Sequence, residues 1–309
     1  MKPVTTLRRG LDASPSLKSM HPAASRWIGT LIRMTSAHPA MTRILDVVER
    51  LSDRPYRTNF VLLGEAGTGK EGLGRALASL SSPAGPLVRY DVAGFPEDEA
   101  LALLCGTGRR AGVAEAASGG TILLEETAGL PPRVQAALLR LLKTGRCERR
   151  GSAAVDLGVG DEEVDARGDK ARRFDVRVVA MSDRDLPGEV AAGRFRHDLY
   201  HRLARVVLTL PPLRERKEDI GPAVIWMGNR ILRQAQVPLE LMGAQDFEQA
   251  ERQEKLHAIA LEPGAVQALQ RHSWPGNFRE LEAVLERALL LYRDGNRLTA
   301  TDITSALGL

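Results

Sequence analysis

Cysteine is nearly absent. Cys105 and Cys147 are the only two in 309 residues, and they form neither a CxxC pair nor part of a ligand cluster. That argues against a disulfide-framework fold and suggests a reducing compartment. Long hydrophobic runs are missing too. The longest apolar stretch near the start, Trp27–Met34, is too short and too broken for a signal segment or a membrane span. A soluble cytoplasmic protein is the expectation that remains. A strong charge of one sign is also lacking: 43 Lys and Arg stand against 39 Asp and Glu, a net charge of +4. Such a balance permits contact with nucleic acid without arguing for it. What is present is ordinary globular composition, 43% hydrophobic and 27% charged, in a chain long enough for a sizeable core.

Residues 1–36 are basic, with Pro and Ser scattered through them, and read as a loosely attached arm. Helical spacing of apolar residues begins at 39–51. Short apolar runs then alternate with helical patterns: FVLL (60–63), LVRYDV (87–92), TILLEE (121–126), DVRVVAM (175–181) and RVVLTL (205–210). PPRVQAALLRLLKTG (131–145) has Pro near its start and Gly at its end, as a helix should. Alternation of this kind predicts a parallel sheet with helices on both faces. After Pro211-Pro212 the pattern turns helical, over 218–236, 245–260, 263–272 and 277–292, which predicts a second, all-α domain from 212. The stretch 151–173 is rich in Gly, Ala and mixed charge, lacks the ligand order of a calcium loop, and reads as an exposed insertion.

The sharpest motif is GEAGTGKE, residues 64–71, between the run FVLL and a helical pattern. Gly64, Gly67 and Gly69 let the backbone turn so that its N–H groups point inward, and the helix N-terminus adds to the pull on a phosphate. Lys70 reaches the β and γ oxygens as a point charge. Glu65, Ala66 and Thr68 complete the cradle, and Glu71 stands where Ser or Thr ordinarily meets Mg²⁺. The two acids ending TILLEE would repel each other unless a cation sat beside them. A metal–phosphate complex supplies one: Glu125 is expected to hold Mg²⁺ through water, and Glu126 to polarise the attacking water.

Three longer stretches carry a family resemblance. GGTILLEETAGLPPRVQAALLRLL (119–142), GRFRHDLYHRLARVVLTLPPLRERKEDI (193–220) and WPGNFRELEAVLERALLL (274–291), with Glu71 directly after the loop lysine, resemble the AAA+ ATPases of bacterial enhancer-binding proteins, the NtrC-like activators of sigma-54 RNA polymerase. The likeness runs from about residue 37 to 305. It implies an α/β P-loop AAA+ fold, a parallel sheet with flanking helices plus a small all-α lid, divided as an arm (1–36), a nucleotide-binding subdomain (37–211) and a lid (212–309). It also implies ATP and Mg²⁺ as cofactors, Glu126 as the catalytic carboxylate, and Arg196 and Arg202 as fingers reaching into a neighbouring subunit's nucleotide. Arg279 would sense the γ-phosphate from the lid, and the working form would be a ring, usually a hexamer. An arginine always carries its charge and forks onto phosphate oxygens, which suits these roles.

The chain departs from that family at several working parts. Members carry a Gly-Ala-Phe-Thr-Gly-Ala loop that touches the sigma factor. Here LLCGTGRRAGVAEAASGGT (103–121) is shorter and has no such loop. Glu125 replaces an Asp, a methylene longer by roughly 1.5 Å. Asp91 replaces an Asn that would bond the catalytic Glu, and Ser182-Asp183 replaces Thr-Asn. No helix-turn-helix is expected after the lid and no receiver domain in residues 1–36, so DNA binding by this chain is not expected. His197 and His201 mimic a zinc-binding helix but have no third ligand in view. Three readings follow. The chain is a ring ATPase that remodels a protein partner, with sigma-54 polymerase as the family's client. Alternatively, it is a nucleotide-gated module that hydrolyses slowly or not at all and serves as a regulatory or scaffold subunit. The third is nucleic-acid binding through the dispersed Arg8, Arg9, Lys18, Arg26 and Arg33.

Overall fold

A computed structural model describes residues 38–52, 58–81, 85–107, 110–147, 173–252 and 257–308. The N-terminal arm and nearly all of the 151–173 insertion lie outside the described residues. The chain divides into two compact units. Ile44–Gly64 and Lys70–Thr209 form most of one, and Leu210–Leu309 joins Glu65–Gly69 in the other.

The first unit is built on five parallel strands in the order β2-β3-β4-β1-β5, with β1 Phe60–Leu63, β2 Leu87–Tyr90, β3 Thr121–Leu124, β4 Arg177–Ser182 and β5 Val206–Thr209. Central strands of a parallel sheet are covered on both faces, so they read as continuous apolar runs rather than alternating ones. Every residue of β3 and of β4 is buried accordingly. The edge strands β2 and β5 mix buried and exposed positions. The helices of this unit are α1 (Pro39–Ser52, which begins in the second unit), α2 (Lys70–Ser81), α3 (Glu97–Cys105), α4 (Val113–Ala116), α5 (Pro132–Thr144), α6 (Leu186–Ala191) and α7 (His197–Leu203). α2 lies directly on the sheet at Gly74, where a Cβ would come within 2.6 Å of Leu123 Cδ1. α5 has Pro132 in its first turn and ends at Gly145, whose φ of 73° lets the chain leave the helix. Its apolar stripe, Val134, Leu138 and Leu141, joins Ile122, Leu124, Val178 and Leu203 in one core. Each such side chain contributes about 1.5–3 kcal/mol on full burial.

One expectation is overturned here. Cys105, the last residue of α3, and Cys147, three residues past α5, are joined by a disulfide with their Cα atoms 5.1 Å apart. The 42 residues between them hide a juxtaposition that arises because α3 and α5 pack against each other. The two cysteines are not free thiols, and their scarcity says nothing about a reducing compartment. Nearby, the backbones of Thr107 and Arg110 exchange two hydrogen bonds of 2.9 and 3.3 Å.

The second unit is predominantly helical, as expected: α8 (Ile220–Gln234), α9 (Ala244–Glu251), α10 (Pro263–Arg271), α11 (Asn277–Arg287) and α12 (Ala300–Leu307). Trp274 is wholly buried in its core, and the indole N–H donates to Leu269 O at 2.7 Å. Thr299 and Asp302 form a reciprocal capping box at the start of α12. The all-α description nevertheless needs correcting. Three parallel strands, β6 (Glu240–Gly243), β7 (Ala258–Leu261) and β8 (Arg297–Leu298), form a small second sheet. The helix expected over 245–260 ends at Glu251, and AIAL is a buried strand. A four-residue apolar run fits either state, and pairing partners decide it. Among the described residues no helix is long and apolar enough to cross a membrane.

The bridge makes a stability prediction. Closing a loop of this length is worth about 2–4 kcal/mol through the unfolded chain. The oxidised protein should lose several degrees of Tm on reduction, whereas Cys147→Ser should melt at the lower temperature with or without reductant. Thermal unfolding with and without a phosphine reductant checks this.

Candidate functional site

The glycine-rich loop leaves β1 and enters α2. Its first residue, Gly64, donates its N–H to Ser182 O at 3.3 Å, which ties the loop to the end of β4. Lys70 opens α2, and its Nζ lies 2.5 Å from Gly64 O. Glu65–Gly69 belong to the second unit, where they are held tightly. The Thr68 N–H and hydroxyl both donate to Glu65 O, at 3.4 and 2.8 Å. Gly67 has φ +77°, and a Cβ there would press on the Gly276 carbonyl and lie 3.3 Å from Arg279 Cβ. Glycine is required for space as well as for the turn. Arg279, the expected sensor, is exposed on α11 beside this glycine.

Four residues of the second unit grip the loop, and sequence reasoning assigned none of them a role. Arg214 forks onto the Glu65 carboxylate at 2.9 and 2.6 Å. Asn277 is fully buried at φ 52°. Its Nδ2 donates to Ala66 O at 3.0 Å and to Glu65 Oε2 at 3.1 Å, while its Oδ1 accepts from Leu213 N–H at 2.7 Å. The Gly67 carbonyl accepts from Phe278 N–H at 3.0 Å. Arg216 is also buried. It donates to Thr68 O at 2.7 Å, stands over the Phe278 ring and faces Asp219 at 3.8 Å. Burial pulls its pKa down to about 10, with Asp219 and Glu218 opposing, so it stays charged at neutral pH. These partners sit 148 to 212 residues from the loop along the chain, beyond the reach of any local pattern.

The acids occupy the first unit. The β3 ladder stops at Leu124, although Glu125 N–H still donates to Tyr90 O at 3.0 Å. Glu126 then takes a left-handed conformation, φ 46°, and starts the turn Thr127–Gly129. Its carboxyl is held above the usual glutamate range, first by burial and then by the charge of Asp183, with Lys70 pulling the other way. Asp183 also hydrogen-bonds it, and Asp91 adds repulsion. Two carboxyl groups share a hydrogen bond only when one keeps a proton. The sequence pointed to Asp91 as the competing carboxylate; the charges of both Asp183 and Asp91 bear on Glu126, that of Asp183 more strongly. Asp91 instead accepts from Ala93 N–H at 3.2 Å and from Arg89 at 3.3 Å.

Glu125, the expected metal ligand, is engaged by a cation from the chain itself. Arg89 Nη2 donates to its Oε2 at 2.7 Å, and Arg89 Nε pairs with Oε1. Glu71 is likewise paired, with Arg75 one turn along α2 at 2.7 Å. Mg²⁺ would therefore meet acids already neutralised, and at Glu125 it would have to displace an arginine. The fit is poor in this arrangement.

Of the two proposed fingers, Arg196 precedes α7 and pairs with Asp198 at 3.0 Å. Arg202 donates to Leu142 O through Nε and Nη2 at 3.2 and 3.0 Å. Buried Gln135 positions the first: it accepts from Arg196 N–H at 2.8 Å and donates to Leu130 O and Arg194 O. Asn59 positions the second, donating to Arg202 O at 3.1 Å and accepting from Val178 N–H at 2.9 Å. A polar residue inside an apolar stripe was the signal available for Gln135. His197 and His201 bond each other, Nε2 to Nε2 at 2.9 Å. Among the described residues no group of three or more His, Cys, Asp or Glu could hold a metal ion.

Comparison with known proteins agrees with these motifs. Residues 34–209 match the sigma-54 interaction domain, and residues 233–308 match the AAA+ ATPase lid domain. The response regulator protein FleR of Pseudomonas aeruginosa is 38% identical over 267 residues, which is 83% of this chain and 49% of FleR. The Nif-specific regulatory protein of Azotobacter vinelandii is 35% identical over 280 residues, 87% of this chain and 46% of that protein. The chain spans about half the length of the curated relatives it matches. The crystal structure of NtrX from Brucella abortus in complex with ADP superposes with a TM-score of 0.70 at 29% identity, over 99% of this chain and 62% of NtrX.

The grip on the loop predicts its own test. Asn277→Ala leaves the buried Leu213 N–H unpaired, a loss of about 1–3 kcal/mol, and places Ala at positive φ. Asn277→Gly removes the same bonds without that strain. Both variants should melt below the wild type, Ala lowest, and both should bind ADP about tenfold more weakly. Calorimetry and thermal unfolding read these effects.

Proposed function

The chain belongs to the sigma-54 interaction family of AAA+ ATPases, and from that premise we propose that it binds ATP and hydrolyses it within a ring of its own copies to remodel a protein partner. The observation that carries this reading is the glycine loop between β1 and α2: Gly67 and Gly69 turn at positive φ, and Lys70 opens the helix directly behind them. In this reading the loop amides and Lys70 hold the phosphates, and Glu126 orients and polarises water. Arg196 and Arg202 would leave Asp198 and the Leu142 carbonyl to serve a neighbouring subunit's nucleotide. NtrX of Brucella abortus crystallises with ADP and with ATP, which supports a nucleotide as the ligand. Mg²⁺ accompanies the proposal as the ion that screens phosphate charge, and Glu125 could hold it only after giving up Arg89. The names of the relatives point to a regulatory setting, and a cytoplasmic location goes with it.

The partner is a separate matter. The connection between α3 and α4 is where family members carry the sigma-contacting loop, and residues 103–121 hold no such motif. We therefore place the client contact on another surface. The second reading, a nucleotide-gated subunit with slow turnover, is favoured by the burial and the Asp183 charge that hold the Glu126 carboxyl above its usual range and by Arg89 on Glu125.

Steady-state phosphate release decides between the two. Release should stand clearly above that of Lys70→Ala. Glu126→Gln should match that control, and Arg202→Ala should lose about 10³-fold or more if the finger acts in trans. Release no greater than in Lys70→Ala, with ADP binding intact, would select the slow-turnover reading. The pH profile adds a second check. Glu126 keeps its proton to higher pH than an ordinary glutamate, so the acidic limb of turnover should lie above the usual carboxylate range. Asp183→Asn removes a repelling charge and offers a donor to the ionised form. The limb should then move to lower pH, with faster turnover on its acid side.

A further inference from the structure

The parallel register pairs Arg89 on β2 with Leu123 on β3. Glu125 follows two residues later, so it faces the same side of the sheet as Arg89. The extra methylene of glutamate over aspartate carries its carboxylate toward the guanidinium. Nε and Nη2 of Arg89 engage the two carboxylate oxygens separately. Nη2 hydrogen-bonds Oε2, and Nε faces Oε1 as an ion pair while that buried oxygen accepts no hydrogen bond. Asp91 also accepts from Arg89 at 3.3 Å, and the charge of Glu71 acts on it as well. Arg89 is thus the cation on which Glu125, Asp91 and Glu71 converge. Its side chain is 53% exposed, whereas that of Glu125 is 18% exposed.

We propose that Arg89 competes with the divalent metal for Glu125, an internal cation that weakens metal binding in the nucleotide complex and so sets this chain's metal requirement. The inference rests on the nucleotide reading above and deepens it. A dication approaching Glu125 gains little while that acid is neutralised, and it must displace the guanidinium to reach an oxygen. The two cations cannot share the carboxylate in the fork geometry. Arg89 acts here through Glu125, as a positioning residue rather than a catalytic one. Because the arginine is half exposed, it can swing into water when the metal arrives, and the competition is one of degree.

The test measures Mn²⁺ binding to the protein–ADP complex, read as loss of the free-ion electron paramagnetic resonance signal and corrected with ADP alone. No turnover enters the measurement. ADP affinity is measured in parallel by calorimetry. Arg89→Ala, and Arg89→Gln as a second charge-removing variant, should each bind Mn²⁺ roughly five- to tenfold more tightly than the wild type. Adding Glu125→Gln to either should abolish the gain. Arg89→Lys, which keeps the charge but loses the fork, should fall between. Unchanged or weaker Mn²⁺ binding in both charge-removing variants, with ADP bound normally, overturns the inference and leaves the nucleotide reading standing. A gain that persists in the Glu125→Gln background also overturns it, since the effect would not pass through that carboxylate. Failure of ADP to bind to any form removes both.

Discussion

Carboxylates crowded at the ends of neighbouring strands set the electrostatic problem this fold has to solve. Asp91, Glu125, Glu126 and Asp183 follow β2, β3 and β4, and a parallel sheet points all of those ends the same way. Negative charges at this density raise one another's pKa or recruit cations. Both outcomes occur. Burial and the charge of Asp183 push the Glu126 carboxyl above its usual range, while Glu125 and Asp91 take Arg89. Lys70 is the remaining counterweight, and its place at the start of α2 is set by the glycine loop. The substitutions that separate this chain from its family are therefore one coupled set. Changing Asn to Asp at 91 and 183 adds charge, and Arg89 with the longer Glu125 absorbs part of it.

The sheet and the phosphate loop were legible in the sequence because both are local. FVLL, TILLEE and DVRVVAM are apolar runs of strand length, which is how a strand buried on both faces must read. GEAGTGK encodes its turn through residues adjacent in the chain. What escaped detection depended on partners far away. AIAL became a strand only because it lies between ELMG and Arg297–Leu298. The Cys105–Cys147 bridge needed α3 and α5 to meet. Arg214, Arg216 and Asn277 stood inside quoted motifs, yet nothing at their own positions said that their partners were Glu65, Ala66 and Thr68. Gln135 was the exception, since a polar side chain on the buried stripe of α5 advertises an unmet backbone partner.

The grip on Glu65–Gly69 is also where the energetics concentrate. The exposed Arg214–Glu65 pair is screened by water and contributes little. The buried bonds from Asn277 and Arg216 matter more, because breaking one strands its partner away from water. Arg216 and Asp219 face each other with almost no exposure, so removing either would leave a buried charge without its opposite, at about 3–5 kcal/mol. The lid residues beside the loop are thus as much a part of its fold as its own glycines.

Three successive carbonyls of the loop, those of Ala66, Gly67 and Thr68, accept hydrogen bonds from Asn277, Phe278 and Arg216. A peptide unit is a rigid plane with its oxygen and its hydrogen on opposite edges. Fixing each oxygen on one side of the ribbon fixes the hydrogen of the next residue on the other. The N–H groups of Gly67 and Gly69, each following a fixed carbonyl, are aimed by residues 211 and 148 positions from those carbonyls rather than by the anion they would meet. Much of the ordering that a flexible glycine ribbon would otherwise undergo on capture has then been completed during folding, and a point change at Asn277 would be felt as a blunted set of amides rather than as a missing contact.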